Sequence, residues 1–265
     1  MSVGATKKLI GEVVVAAGLG NSPKMVVQEV DSETKLVVEW FRPGQFYDKV
    51  YSSKVFDFTP NNMLLPKGKI YGGTRYNLNK LPDEIDQMYP DYSISNVDYA
   101  IGFITRGCPN KCRWCYVPEK EGDIAPYREW QSLIREDSNK LILMDNNILA
   151  SDWGIKQLES LSETNIHIDL NQGMDAIRLV DSAIIKLIGK LKWILFARFS
   201  CDTMAQVDKL CKLYKKLKAL HIYAQAERGK NIVPTKEQKR FQMYIYSMSY
   251  LKFSFEDFKR INGYK

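Results

Sequence analysis

The sequence predicts an α/β protein: a partial (β/α) barrel of about five to six parallel strands, preceded by a small β-rich α/β domain. Three observations carry this. From about residue 98 onward, short apolar runs alternate with segments of helical periodicity, the pattern of parallel strands joined by crossover helices. Before that, residues 11 to about 56 hold β-rich segments separated by turn formers. Finally, the first apolar run of the alternating part, 100-AIGFIT-105, ends at 108-CPNKCRWC-115, which holds three of the five cysteines.

In order, the expected N-terminal strands are EVVVAAGL, KMVVQEV, KLVVEWF and KVYSSKVF, divided by Asn21-Ser22-Pro23 and Arg42-Pro43-Gly44. Residues 58–92 are rich in proline and turn formers and read as a linker, with Gly72-Gly73 as a turn rather than a phosphate loop. The expected domains are therefore 1–95, a small α/β domain with its linker, and 96–265, a partial barrel with a C-terminal extension. Within the second, YREWQSLI has Tyr127, Trp130, Leu133 and Ile134 at helical spacing, KLILMD is a strand, and Asp152 caps a helix carrying Ile155, Leu158 and Leu161. IHIDLNQG is the next strand. DSAIIKLIGK is a helix opened at Asp181 or Ser182 and stopped at Gly189, and WILFARFS is again a strand. Asp202-Thr203 opens a helix with Met204, Val207, Leu210, Tyr214 and Leu217 on its apolar face, and LHIYAQA is expected as a further strand. About five βα units fit here, too few for a closed eight-fold barrel. The aromatic tail YIYSMSYLKFSFEDF is expected to pack across the barrel's side or edge.

Composition sets the outer bounds. Apolar residues make up 45% and charged residues 26% of 265, ordinary for a globular chain, and no stretch approaches the length of a membrane span. Glu12 and the shortness of Val13–Leu19 argue against a secretory signal, and few cysteines, mostly in one motif, suggest a cytoplasmic location. The net charge of +7 tilts the substrate slightly toward nucleic acid or nucleotides, although KLCKLYKKLKAL and KEQKR read better as solvated helix faces than as a nucleic-acid groove.

Cys108, Cys112 and Cys115 are an odd number, which a disulfide framework does not use. A zinc site would need a fourth ligand from His167, His221, Cys201 or Cys211, none at motif spacing. Iron–sulfur clusters are held by cysteine thiolates, usually four, so three leave one iron open. The loop stands at the carboxyl end of a strand, where sites in βα folds lie.

The pattern C-x-x-x-C-x-aromatic-C at Cys108, Cys112, Trp114 and Cys115, trailed by YVPEKEG, resembles the signature of radical S-adenosylmethionine (radical SAM) enzymes. The passages YGGTRYNL, LPDEIDQMYPDYS, LMDNNILA, DLNQGMDAIRL and FSFEDF are similar to a branch with a degenerate cobalamin-domain-like N-terminal region. The resemblance covers roughly residues 70 to 258 and implies a [4Fe-4S] cluster on the three cysteines. The open iron would chelate S-adenosylmethionine (SAM), and one electron from a flavodoxin- or ferredoxin-type donor would cleave it to methionine and a 5′-deoxyadenosyl radical. No histidine precedes His167, so none can ligate cobalt in the N-terminal region; that region also has no cysteine for a second cluster.

The resemblance further implies adenine contact at Trp114 and Tyr116. It also implies a role for Asp145, which stands where the family often has a Gly-Gly-Glu stretch receiving the SAM amino group. The plainer alternatives are aromatics packed under the loop and an Asp-Asn turn. In IHIDLNQG, His167, Asp169 and Asn171 alternate to one face. Asn171 and Gln172 are placed to hydrogen-bond SAM ribose or carboxylate, while His167 reads as a core residue. Arg198, in an apolar strand, would bind the SAM carboxylate bidentately or else face outward. Asp175 and Arg178 suggest a local ion pair, Cys211 reads as core, and Cys201 sits near a strand end facing core or substrate. The alternative reading is a nucleic-acid-binding module stabilised by zinc or a structural cluster, without radical chemistry.

Overall fold

The computed structural model describes residues 25–30, 36–40, 50–54, 67–80, 83–87, 89–90, 92, 97–112, 115–179, 181–228, 233, 241 and 243–246. The chain divides into two compact units, Met1–Val97 and Asp98–Lys265. In the first, β1 (Met25–Val30) pairs antiparallel with β2 (Leu36–Trp40), and β3 (Tyr51–Ser53) pairs parallel with β4 (Ile70–Gly72). A turn comes next in which Gly73 accepts from the backbone N–H groups of Tyr76 and Asn77, and α1 (Asp83–Asp86) is one short turn of helix. The expected strand EVVVAAGL lies outside the described residues.

The second unit is mixed α/β. Its β5 (Ala100–Gly102), β8 (Lys140–Leu143) and β9 (His167–Leu170) form a parallel sheet in the order β5-β8-β9. A second parallel sheet, in the order β10-β11-β12, is built from β10 (Met174–Asp175), β11 (Ala197–Ser200) and β12 (Met243–Tyr246). A parallel bridge between Ile168 and Trp193 links β9 to the segment entering β11. Among the described residues the strands do not close into a barrel. Registers Gly102↔Leu143↔Leu170 bring the carboxyl ends of β5, β8 and β9 level, so the segments leaving the three strands meet at one edge. The short antiparallel pair β6 (Thr105–Arg106) and β7 (Ala125–Pro126) closes the base of the cysteine loop, which also carries the helical turn α2 (Val117–Lys120).

Three helices pack in series, α3 (Asp152–Ser162) on α4 (Ser182–Lys190) and α4 on α5 (Met204–Arg228). Core residues come from both layers, among them Ile104, Leu141, Leu143, Leu158, Leu161, Ile168, Ile188 and Phe199. Ser151, not Asp152, caps α3 by accepting from Gly154 N at 3.2 Å, while Asp181 caps α4 through Ala183 N at 2.7 Å. Gly189 does not stop α4. It lies inside the helix, where a Cβ would meet Leu220 Cβ at 2.5 Å, so its absence lets α4 and α5 approach closely. At the start of α5, Gln206 Oε1 accepts from Asp202 N and Thr203 N, and Thr203 Oγ1 accepts from Gln206 N, a reciprocal cap.

Three further expectations are corrected. YREWQSLI forms only a 3₁₀ turn, Trp130–Leu133. The chain is extended through β7, and Tyr127 N and Arg128 N both donate to Ile104 O, which leaves no room for a longer helix. LHIYAQA is the end of α5 rather than a strand. His221, Ala224 and Gln225 are buried at helical spacing, and no glycine or proline interrupts Met204–Arg228. The strand beside β11 comes instead from the tail, as β12. Cys211 is exposed on α5 rather than in the core, one position beyond the buried Leu210. No described helix is long and apolar enough to cross a membrane.

Candidate metal centre

The cysteine loop, residues 107–124, is fastened at its base by contacts within the chain. Arg106 forms a bidentate pair with Glu121, at 2.9 and 2.8 Å, and lies over the rings of Phe103 and Tyr127 at 4.2 and 5.4 Å. Gly107 has φ +85°, and a Cβ there would meet Asp123 O at 2.3 Å, so the strand can leave into the loop only through glycine. Cys108 N donates to Gly122 O at 3.2 Å, closing the loop across its neck.

On this loop Cys108 and Cys112 are partly buried and Cys115 is exposed; all three are free thiols. Cys115 N donates to Cys112 O at 3.0 Å and Val117 N approaches Cys115 Sγ at 3.5 Å, so the backbone curls around the later thiols. Burial raises the Cys112 thiol above its ordinary value, and the negative charge of Asp202, Cys115, Cys108 and Asp175 raises it further. Thiolates gathered here repel one another unless a cation joins them. Among the described residues no three His, Cys, Asp or Glu side chains converge on a single metal ion.

Neighbouring strand ends reach the loop from beneath. After β8, Asp145 is buried and accepts from Ile104 N at 3.1 Å, Thr105 N at 2.5 Å and Thr105 Oγ1 at 2.7 Å. Burial pushes its carboxyl up to about 6, against those hydrogen bonds, which favour the ionised form. Asp145 thus braces the segment entering the cysteine loop. Two residues on, Asn147 is 3% exposed; its Nδ2 lies 3.5 Å from Cys108 Sγ, and its buried Oδ1 has no hydrogen-bond partner among the described residues. From the β10 end, Asp175 Oδ2 accepts from Asn110 Nδ2 at 2.8 Å, and Arg178 donates to Asn110 Oδ1 at 3.3 Å. The suggested Asp175–Arg178 pair therefore meets through Asn110, which stands between the first two cysteines.

Of the remaining expected residues, Trp114 lies outside the described ones. Tyr116 is 50% exposed, just before α2. Asn171 and Gln172 are exposed in the turn after β9, where Asn171 Nδ2 approaches Met144 Sδ at 3.5 Å. Arg198 is bound bidentately by Asp169 at 2.7 Å on both arms, with side chains 22% and 8% exposed, and it stacks on Phe196. This is the partner that an arginine in an apolar strand requires, and it occupies the fork expected to take a SAM carboxylate. His167 is half-buried, and burial lowers its imidazole's proton affinity. Cys201 is fully buried and its thiol is pushed up to about 12, first by burial and then by Asp202 and Asp175. Sequence pattern assigns no role to Asn110, whose available signal is its place inside the motif; Asn147 enters it only beside Asp145 and Asn146 at a strand end, as an amide acceptor for the SAM ammonium, and not as a neighbour of Cys108. No family model and no curated protein matches the chain.

Proposed function

We propose that the chain is a radical SAM enzyme that binds a [4Fe-4S] cluster through Cys108, Cys112 and Cys115 on a partial (β/α) barrel. The observation that carries this reading is a three-cysteine loop fastened to the carboxyl end of the first strand of a parallel βα unit. Two features support the fit of a cluster: three free thiols on one loop, and the buried amide of Asn147, whose Nδ2 donor lies 3.5 Å from the first of them. Cys108, Cys112 and Cys115 would hold the cluster with one iron left for SAM, and the chemistry it would supply is the electron for reductive cleavage of the SAM sulfonium to methionine and a 5′-deoxyadenosyl radical.

The chain's own residues hold and orient. The Arg106–Glu121 pair and Gly107 set where the loop leaves the strand, Asp145 fixes Ile104 and Thr105 behind it, and Asn110 ties its middle to Asp175 and Arg178. This makes Asp145 a positioning residue rather than the acceptor of the SAM ammonium. Asn171 and Gln172, exposed beyond β9, are assigned hydrogen bonds to the SAM ribose, and Tyr116 with Trp114 the adenine. Arg198 is retained by Asp169 as a strand-to-strand tie.

The test is anaerobic reconstitution with iron and sulfide, then SAM and dithionite. The expected result is 5′-deoxyadenosine and methionine in equal amounts, abolished by alanine at Cys108, Cys112 or Cys115. Stoichiometric zinc with SAM left intact would replace this reading with that of a metal-stabilised binding module.

A further inference from the structure

We infer that Asn147 is a positioning residue that donates a hydrogen bond to the Cys108 sulfur and thereby sets the reduction potential of the iron–sulfur centre; this rests on the reading of the cysteine loop as a cluster site. The side chain is an amide in an apolar setting. Asn147 is 3% exposed and is followed by Ile148 and Leu149, exposed by only 2% and 3%. Burying an amide there is unfavourable unless its polar atoms are used. Its Nδ2 points at Cys108 Sγ at 3.5 Å, a normal separation for a donor on sulfur. With Cys108 as the ligating thiolate, the flipped amide would set its oxygen against the sulfur, two acceptors facing each other, so the donor orientation is the favourable one.

The residue is held in place independently of any ligand. Asn147 O accepts from Ala150 N at 2.9 Å at the start of a 3₁₀ turn, and Ser151 immediately afterwards caps α3. Cys108 is held from the other side by its bond to Gly122 O at 3.2 Å. The contact between amide and sulfur therefore joins two fixed points across 39 residues of sequence.

Its consequence is one of charge. Reduction adds negative charge to the cluster and its thiolate sulfurs, and an N–H donor stabilises the more negative state more than the less negative one. Asn147 thus raises the potential and makes the centre easier to reduce. In Asn147→Leu the donor is lost while the number and branching of side-chain heavy atoms are kept, and in Asn147→Asp it is replaced by an acceptor carrying charge.

The experiment is a redox titration of the reconstituted protein, monitored by electron paramagnetic resonance, with iron and sulfide measured on the same samples. Thermal unfolding of the cluster-free chains checks that the variants fold, and either folded variant suffices. Asn147→Leu is expected to lower the reduced-to-oxidised ratio at fixed potential about tenfold, 59 mV for a one-electron couple. Asn147→Asp is expected to lower it further, whereas Asn146→Ala leaves it unchanged. Equal potentials in wild type and Asn147→Leu at equal cluster content would overturn the inference and leave the cluster reading standing. Wild-type chain that takes up no iron and sulfide would overturn the cluster reading itself.

Discussion

Replacing Asp145 by alanine removes a side chain that accepts from Ile104 N, Thr105 N and Thr105 Oγ1, three donors at the entry to the cysteine loop. Each buried donor left without a partner costs about 1–3 kcal/mol. Against this stands relief from burying the carboxylate, whose rise from 3.8 to about 6 corresponds to about 3 kcal/mol. The net expected loss for Asp145→Ala at neutral pH is about 3 kcal/mol, measured by urea unfolding of the metal-free chain. Asp145→Asn keeps an acceptor oxygen toward Thr105 without charge and should lose about 1 kcal/mol or less. The pH dependence separates the variants. Because the folded carboxyl binds its proton more tightly than the unfolded one, its contribution is fully present below the unfolded value of 3.8 and is lost as pH rises through about 6. Wild-type stability should therefore fall, relative to Asp145→Asn, by about 1.4 kcal/mol between about pH 5 and pH 8. A loss below about 1 kcal/mol in the alanine variant, or a wild-type-minus-asparagine difference that is flat with pH, would refute the bracing role.

Other substitutions test the frame around the loop. Gly107→Ala forces a Cβ against Asp123 O at a positive-φ position, and a loss of at least about 2 kcal/mol is expected in chemical denaturation, with a matching fall in cluster uptake. Arg198→Met leaves the 8%-exposed Asp169 carboxylate without its bidentate partner; a loss of about 2–3 kcal/mol is expected, and Asp169→Asn in the same background should recover part of it.

The alternation of strand and helix was readable because short segments such as the apolar 140-KLIL-143 and the alternating 167-HIDL-170 are bounded by polar turns, and both became parallel strands. Residues 220–226 were not readable in the same way. Their alternating apolar and polar residues match a strand over a short window, while the burial of His221, Ala224 and Gln225 reveals a helix only once α4 is packed against it. Likewise Tyr127, Trp130, Leu133 and Ile134 fit a helical face, but pairing of β6 with β7 had already committed the preceding residues to an extended path. At the site, the cysteine spacing marked the loop, and its position after a strand marked the edge of the sheet. Asn147 meets Cys108 from 39 residues away, and such a contact depends on the register of β5 against β8 rather than on any local pattern. Arg198 announced its need of a partner; that Asp169 supplies it depends on how β9 lies beside β11.

The most direct measurement of the central claim is the iron and acid-labile sulfide content of the anaerobically reconstituted chain, compared with Cys108→Ala, Cys112→Ala and Cys115→Ala. About four of each are expected per wild-type chain, as a [4Fe-4S] centre requires, and little in any single variant. Undiminished iron and sulfide in the three variants, or a wild-type chain that takes up neither, would contradict it.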